Sequence, residues 1–221
     1  MKATPRPLRG MFGGTFDPVH NAHLRVALDI VEAGALEQLH LVPCHVPPHR
    51  GDPEVTAAQR LAMLELAARG ELRFRVDDRE LRRDGPSYTV DTLQTLRRDF
   101  PGDHLCLLLG SDSFVSLPRW DRWQELAVYA HIVVMQRPDH PLKLSGPLTD
   151  WLHGRETADW AALRDEPAGR VLFQDVTPMA VSATDIRARL AAGRSGRYLL
   201  PDAVWDYIRD NTLYGAGGYA G

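Results

Sequence analysis

Two histidines three residues apart, His20 and His23, follow a pair of glycines, Gly13 and Gly14, near the start of the chain. A short apolar stretch precedes the glycines and an amphipathic stretch follows the histidines, so the pattern predicts a strand, a tight turn and a helix. Residues three apart share one face of a helix. The first turn of a helix carries N–H groups without intrahelical partners, which suit a phosphate. We therefore predict a phosphate site, in which the glycines allow close backbone approach and unusual dihedral angles.

The two imidazoles have other interpretations. Zinc would need a third ligand, and neither a nearby glutamate nor a cysteine cluster accompanies the HxxH spacing. Histidines without a role on a helix face are the second alternative. The segment also lacks the lysine of the GxxxxGK[ST] loop and the third glycine of GxGxxG. We interpret His20 and His23 as phosphate contacts of a different kind of site.

A second candidate phosphate site lies near the end of the chain. Ser182 is a good N-cap for a helix over 182–192, and Thr184 and Arg187 follow it closely. A capped amphipathic helix without a ligand is the alternative. Two helix starts of this kind in one chain suit a polyphosphate.

A proline-rich loop supplies further cations. His49 and Arg50 follow two prolines, which fix the path of the loop and reduce the entropy lost when these side chains bind an anion. A rigid surface loop without a role is the alternative. Arg137, at the exit of a predicted strand, is a weaker candidate of the same kind, and His45 is equally well a loop residue or a ligand contact.

Aromatic and carboxylate side chains complete the candidates. Trp120 and Trp123 lie in a charged loop. We interpret them either as stacking platforms for a flat ring or as core residues. Tyr88 and Thr89 stand at the start of a predicted helix, where backbone N–H groups suit a small carboxylate. Asp112 follows a strand and the turn at Gly110. It is interpreted either as a carboxylate that binds ribose hydroxyls or as a simple helix cap.

Hydrophobic periodicity predicts the elements that position these residues. The predicted strands are 8–12, 39–43, 72–76, 104–109, 131–135 and 171–173. The predicted helices are 24–33 (ended by Gly34), 56–69 (capped by Thr56, with an inward stripe of Ala57, Leu61, Leu64 and Ala68), 89–100, 124–127, 149–164, 182–192 and 201–211, with 215–221 fraying. Alternating strands and helices predict an α/β, Rossmann-like, doubly wound and mostly parallel sheet with helices on both faces. Ligands bind such sheets at the carboxyl ends of the strands.

Composition limits the classes of protein. With 221 residues and 44% apolar content, the chain is expected to form one domain over 1–221, with the helical part 182–214 packed on it. A net charge of −3 disfavours nucleic acid as the partner. Cys44 and Cys106 are expected to be free thiols, which fits the cytoplasm. No long apolar run or secretory leader is found, so no membrane association is expected.

Several motifs occur in a fixed order between residue 10 and about residue 214: GGTFDPVHxxH, VPPHR, PSYT, GxDS, a tryptophan loop and SATxIR. This order resembles the nucleotidyltransferases marked by (H/T)xGH and xSxTxIR, and more narrowly the nicotinate-nucleotide adenylyltransferases. The resemblance implies transfer of AMP from ATP to nicotinate mononucleotide, giving deamido-NAD and pyrophosphate with Mg²⁺, in NAD biosynthesis. The resemblance does not identify a protein residue as a ligand of the metal.

The resemblance also implies roles for particular residues. His20, His23 and Arg187 would be catalytic. ATP would bind to Gly13, Gly14, Thr15, Phe16, Gly110, Asp112, Ser182, Thr184 and Arg187, and nicotinate mononucleotide to His49, Arg50, Tyr88, Thr89, Trp120 and Arg137. One departure is Ala22 in place of the glycine of HxGH. A methyl group is tolerable there in a helix, whereas a positive φ would strain the motif.

The acceptor phosphate needs no general base, since a phosphate monoester with a second pKa of about 6 is mostly dianionic at pH 7. This agrees with the lack of a Ser–His–Asp set in the sequence, and the histidines are expected to stabilise charge. Nicotinamide mononucleotide and phosphopantetheine remain alternative acceptors, and a catalytically silent nucleotide-binding module is the alternative from another class. The sequence leaves the oligomeric state open, a homodimer included.

Overall fold

The computed structural model describes residues 6–46, 52–136, 142, 144 and 146–218. The strands are β1 Leu8–Gly14, β2 Gln38–Pro43, β3 Phe74–Val76, β4 His104–Gly110, β5 His131–Gln136, β6 Glu156–Thr157 and β7 Val171–Asp175. The α-helices are α1 Asn21–Ala33, α2 Ala57–Ala68, α3 Thr89–Asp99, α4 Ser111–Val115, α5 Leu126–Tyr129, α6 Pro147–Leu152, α7 Ala183–Ala191 and α8 Asp202–Asp210. Turns of 3₁₀ helix lie at Leu117–Arg119, Trp123–Glu125, Trp160–Arg164 and Leu213–Gly218.

The strands form one sheet in the order β3-β2-β1-β4-β5-β7-β6, and every neighbouring pair is parallel. The predicted α/β, doubly wound sheet is thus confirmed. The chain moves outward from β1 to β2 and β3, then returns to the other side of β1 with β4. This reversal opens a crevice at the carboxyl ends of β1 and β4, where ligands bind in such folds.

Side-chain alternation along the strands divides the core into two layers. In β4, Leu105 and Leu107 pack with α3, α4, α5 and α6, whereas Cys106 and Leu108 pack with α1, α2, α7 and α8. Covered on both faces, a central strand must be apolar at almost every position, which explains the uninterrupted run in β4. The helix α8 shares the core layer of α1 and α2.

Most element bounds agree with prediction within two residues, but β3 and α2 differ in detail. Leu72 is exposed and precedes β3, because a turn closed by Phe74 N–H and the Glu71 carbonyl (3.1 Å) delays the strand. The helix α2 begins after its predicted cap, Thr56. Its buried face, however, carries Arg60, Met63 and Leu64, and Ala68 packs partly buried against the same core layer. The predicted stripe is therefore confirmed at Leu64 and Ala68 and wrong at Ala57 and Leu61.

The predicted helix over 149–164 is also wrong. The structure has α6, the short strand β6 and the 3₁₀ turn Trp160–Arg164 in that region. Gly154 has φ +78, which ends the helical path after α6. The Asp159 carboxylate then accepts a hydrogen bond from Ala161 N–H (2.8 Å) and starts the 3₁₀ turn.

The end of the chain is better ordered than predicted. In Leu213–Gly218, Tyr214 and Ala216 are buried. Fraying from residue 215 is therefore wrong as far as residue 218, and residues 219–221 lie outside the described part. Among the helices of the described residues, none has the length and apolar character to span a membrane.

Candidate active site

The glycine pair ends β1 at the edge of the crevice. The β1–β4 register pairs Phe12 with Leu108, and its continuation brings Gly14 level with Gly110. Neither glycine of the pair has a positive φ, so the predicted need for unusual dihedral angles at these two residues is wrong. A Cβ on Gly14 would lie 3.1 Å from the Phe16 ring, and Phe16 itself has φ +50. Glycine is required here for close packing.

The two histidines of the motif lie together, as predicted. His20 is the N-cap residue of α1, and its ring stacks on that of His23 with 3.7 Å between centroids. The His20 backbone N–H donates to Nδ1 of His23 (3.3 Å). His20 is only 4% exposed, and burial lowers its pKa to about 4. Its Nδ1 has no hydrogen-bond partner in the described structure, and a buried polar atom of this kind indicates a place for a ligand group.

The start of α1 offers fewer N–H groups to a ligand than predicted. The Asn21 N–H donates to the Leu199 carbonyl (3.0 Å), and the His23 N–H donates to the His20 carbonyl (2.9 Å). The segment before α8 therefore caps this helix from outside. Ala22 lies inside α1 and has no positive φ, so the strained alternative for the altered motif does not apply.

The second predicted phosphate site, at the start of α7, lies next to the first, at the start of α1. Ser182 caps α7 by accepting the Asp185 N–H (3.1 Å). One turn on, Arg187 donates from Nη1 to the Asp17 carbonyl (2.8 Å) and from Nε to the Glu54 carboxylate (2.6 Å). Thr184 is exposed at the same end of α7. The Arg187 guanidinium therefore lies between the start of α7 and the loop that joins β1 to α1 (residues 15–20, the motif loop).

Asp17, inside the motif, is a buried anchor that the sequence did not reveal. Its carboxylate accepts the Tyr214 hydroxyl (2.7 Å) and the Glu54 N–H (2.9 Å). Burial, the hydrogen bond and the charge of Asp17 raise the pKa of Tyr214, so its hydroxyl remains a donor. The motif loop, α7 and the end of the chain are thus bound to one another.

On the other side of the crevice, Gly110 is the N-cap residue of α4 and has φ −69. Among the described residues, no atom lies within 4 Å of a Cβ placed at this position. Since neither dihedral angle nor protein packing demands glycine, the open space above it is suited to a ligand. Asp112 is exposed in the first turn of α4, so the predicted carboxylate lies beside this space.

Only part of the predicted nicotinate mononucleotide site lies within the described residues. Tyr88 is the N-cap residue of α3, Thr89 is the first residue of that helix, and Trp120 is half-buried against the same core layer. Trp123 contacts Trp151, with 5.3 Å between ring centroids, which supports its core interpretation. His49, Arg50 and Arg137 lie outside the described residues. His45 donates from Nδ1 to the Arg83 carbonyl (2.9 Å), a structural contact.

Arg60 is the most notable residue that the sequence interpretation missed. It is 1% exposed and donates to the Thr15 carbonyl (2.7 Å) and the His45 carbonyl (3.4 Å). Its spacing of three and four residues from Met63 and Leu64 was a usable signal, because it puts a charged residue on an apolar face. The candidate site therefore has a buried cation beneath its first loop.

Comparison with known proteins defines the class. The cytidylyltransferase-like family profile matches residues 11–189, and the chain belongs to this family. The fold is similar to that of the Plasmodium falciparum nicotinic acid mononucleotide adenylyltransferase, solved in complexes with APC and with NaAD. Each match has a TM-score of 0.71 at 16% identity and covers 95% of this chain and 98% of the other. At that identity the likeness establishes the fold alone.

Curated relatives narrow the class. The chain is 52% identical to the Pseudomonas aeruginosa protein named "Probable nicotinate-nucleotide adenylyltransferase", over 94% of this chain and 97% of that one. A Methylococcus capsulatus protein of the same name is 46% identical over 93% and 98%. Within its family the chain is thus grouped with the nicotinate-nucleotide adenylyltransferases, which are nucleotidyltransferase enzymes.

Proposed function

We propose that this protein transfers the AMP moiety of ATP to nicotinate mononucleotide, releasing pyrophosphate and forming deamido-NAD in NAD biosynthesis. The observation that carries the proposal is the convergence at one crevice of the His20–His23 pair with Arg187. These residues belong to two helix starts separated by most of the chain. The names of relatives about 50% identical over nearly the whole length support the choice of substrates.

The site is proposed to accelerate this transfer by stabilising negative charge on the phosphates. The acceptor phosphate is already dianionic at neutral pH, so its attack on the α-phosphorus of ATP needs no proton abstraction. Charge accumulates on the α-phosphate and on the departing pyrophosphate, and preorganised donors stabilise it. With its pKa lowered to about 4, His20 is a neutral imidazole before ATP binds, and it donates to the phosphates through an N–H. His23, stacked on it, and Arg187 are proposed to bind the same phosphates.

A divalent cation, Mg²⁺ in our proposal, would neutralise phosphate charge when it is bound with ATP. Within the described residues, no group of three histidine, cysteine or carboxylate side chains forms a ligand cage. Asp17, the carboxylate in the motif loop, already accepts hydrogen bonds from the Tyr214 hydroxyl and from the Glu54 N–H. This donor set fits an ion that is held largely by substrate phosphates and water.

The remaining roles are proposals of the same kind. Gly13, Gly14, Thr15 and Phe16 would line the phosphates, Gly110 and Asp112 the ribose, and Ser182 and Thr184 the phosphates from α7. On the acceptor side we propose Tyr88, Thr89, Trp120, His49, Arg50 and Arg137. We further propose one domain that includes 182–214, in the cytoplasm, which suits the free thiols of Cys44 and Cys106.

Parallel assays with nicotinate mononucleotide and nicotinamide mononucleotide, each with ATP and Mg²⁺, test the function. We expect pyrophosphate release with both or with the acid alone, and a kcat/KM at least tenfold higher for the acid, because a carboxylate accepts strong hydrogen bonds at a helix start. Equal use of the two, or preference for the amide, would contradict the substrate assignment. No pyrophosphate with either would contradict the enzyme activity itself.

A further inference from the structure

Arg60 lies on the buried face of α2, in the first turn after the Thr56 cap, next to Met63 and Leu64. Side chains with a permanent charge are rarely buried to 1% exposure unless a counter-ion accompanies them. In the described part of the chain no carboxylate oxygen comes within 4.0 Å of this guanidinium. Its Nε also has no hydrogen-bond partner there. The charge is thus met by two backbone carbonyls and by little else.

The groups nearest to Arg60 do not neutralise it. Cys44 lies beside it and beside Thr15, but burial raises the pKa of the Cys44 thiol, which keeps the sulfur protonated at neutral pH. Glu80 is the carboxylate that faces the same region. It is buried, accepts a hydrogen bond from the Thr92 hydroxyl (2.6 Å) and pairs with a different guanidinium, that of Arg83 (3.7 Å). Among the described residues, the Arg60 guanidinium therefore has no carboxylate as a direct ion-pair partner.

Both carbonyls that bind Arg60 belong to segments proposed to contact substrate. Thr15 is in the GGTF loop, and His45 begins the loop that leads to His49 and Arg50. His45 is itself fixed, since its N–H donates to Ser87 Oγ (2.9 Å). Arg60 thus joins the carboxyl-terminal loops of β1 and β2 from below, on the side away from solvent.

Burying an uncompensated charge costs several kcal/mol, and natural proteins accept such costs mainly at functional sites. An anion bound over the loop would provide the missing counter-charge in a region of low dielectric, where screening by water and salt is weak. We propose that Arg60 is a positioning residue whose buried charge holds the GGTF loop and attracts the phosphate groups of the nucleotide. This inference rests on the proposed function, because it assumes phosphates at that loop.

The test compares Arg60→Met, which removes the charge at similar volume, and Arg60→Lys, which keeps it. Equilibrium affinities for ATP, ADP, AMP and adenosine are measured by calorimetry and by competition. For Arg60→Met we expect about a tenfold loss for ATP, the effect of one unit charge at roughly 12 Å with an effective dielectric constant of about 20. The loss should shrink through ADP and AMP and vanish for adenosine. Arg60→Lys should retain at least a third of the ATP affinity.

Arg69→Met, at the exposed end of the same helix, is the matched control for net charge and should bind all four ligands like the wild type. An equal loss for all four ligands in Arg60→Met, or no loss, overturns the inference. If Arg60→Met does not fold, Arg60→Gln replaces it, and failure of both variants to fold means a purely structural role and also overturns it. A wild-type protein that binds no ATP would instead contradict the proposed function.

Discussion

The histidine pair shows how burial sets the chemistry of a single residue. His20 and His23 stack at 3.7 Å, a separation at which two imidazolium ions would repel strongly. The pKa of about 4 at His20 avoids that repulsion, since the ring is neutral at pH 7 and retains one N–H donor. A nearby polyphosphate would favour the charged form and raise this pKa again.

Replacing either histidine by alanine removes a preorganised donor. We expect His20→Ala and His23→Ala each to lower kcat by roughly 10²–10³. Steady-state rates of pyrophosphate release measure the effect, with circular dichroism to check the fold. His153→Ala, at an exposed position after α6, is the control and should leave kcat unchanged. Near-wild-type rates in both site variants would contradict their role as charge-stabilising groups.

At the scale of elements, the last 3₁₀ turn acts on the first loop. Tyr214 and Asp17 are 197 residues apart in sequence, yet their side chains form a buried hydrogen bond of 2.7 Å. Arg187, from α7, binds the Asp17 carbonyl from the other side. The motif loop is therefore held by two elements from the end of the chain, which explains why that end is not frayed.

Tyr214→Phe leaves a buried carboxylate oxygen without its donor. We expect a loss of about 1–3 kcal/mol in the free energy of unfolding, measured by urea denaturation. Tyr198→Phe, where the side chain is 83% exposed, should change stability by no more than roughly 0.5 kcal/mol. Equal stability of the two variants would show that the Asp17–Tyr214 hydrogen bond does not contribute to the fold.

For the whole molecule, two buried histidines make stability depend on pH. His131 has no exposed surface, donates from Nε2 to the Glu166 carbonyl (2.8 Å) and accepts the Arg170 N–H at Nδ1 (3.1 Å). These partners fix a neutral ring with its proton on Nε2. Burial lowers its pKa to about 4, as it does for His20. Between pH 6.5 and 4 the unfolded chain therefore binds more protons than the folded one, so stability falls as pH falls through that window.

His131→Gln isolates one of these contributions. The wild-type free energy of unfolding minus that of the variant should decrease by about 2–3 kcal/mol between pH 7 and pH 4.5, because only the wild type gains a proton at this position on unfolding. Urea unfolding at several pH values measures the difference. His153→Gln should give a difference that does not vary with pH. A constant difference for His131→Gln would mean that His131 already binds its proton in the folded state.

Most of the sheet, and the helices that carry the motifs, followed from the sequence. In β4 and in α3, apolar periodicity and caps depend on residues only a few positions apart, so local composition determines the element. The same holds for the Ser182 cap and for the prediction that both segments proposed to bind phosphate lie at helix starts. Interrupted segments such as 149–164 were mispredicted, because one glycine with a positive φ outweighs the helical propensity of its neighbours.

The sequence by itself thus determined the order of most elements and the chemical types of residue at the crevice. Only the tertiary structure decided that Leu199 caps α1, that Tyr214 binds Asp17, and that Arg60 lies beneath Thr15. These contacts join residues 45 to 197 positions apart. Their partners are fixed by how helices pack on the two faces of the sheet, a property of the whole chain that no local pattern of residues encodes.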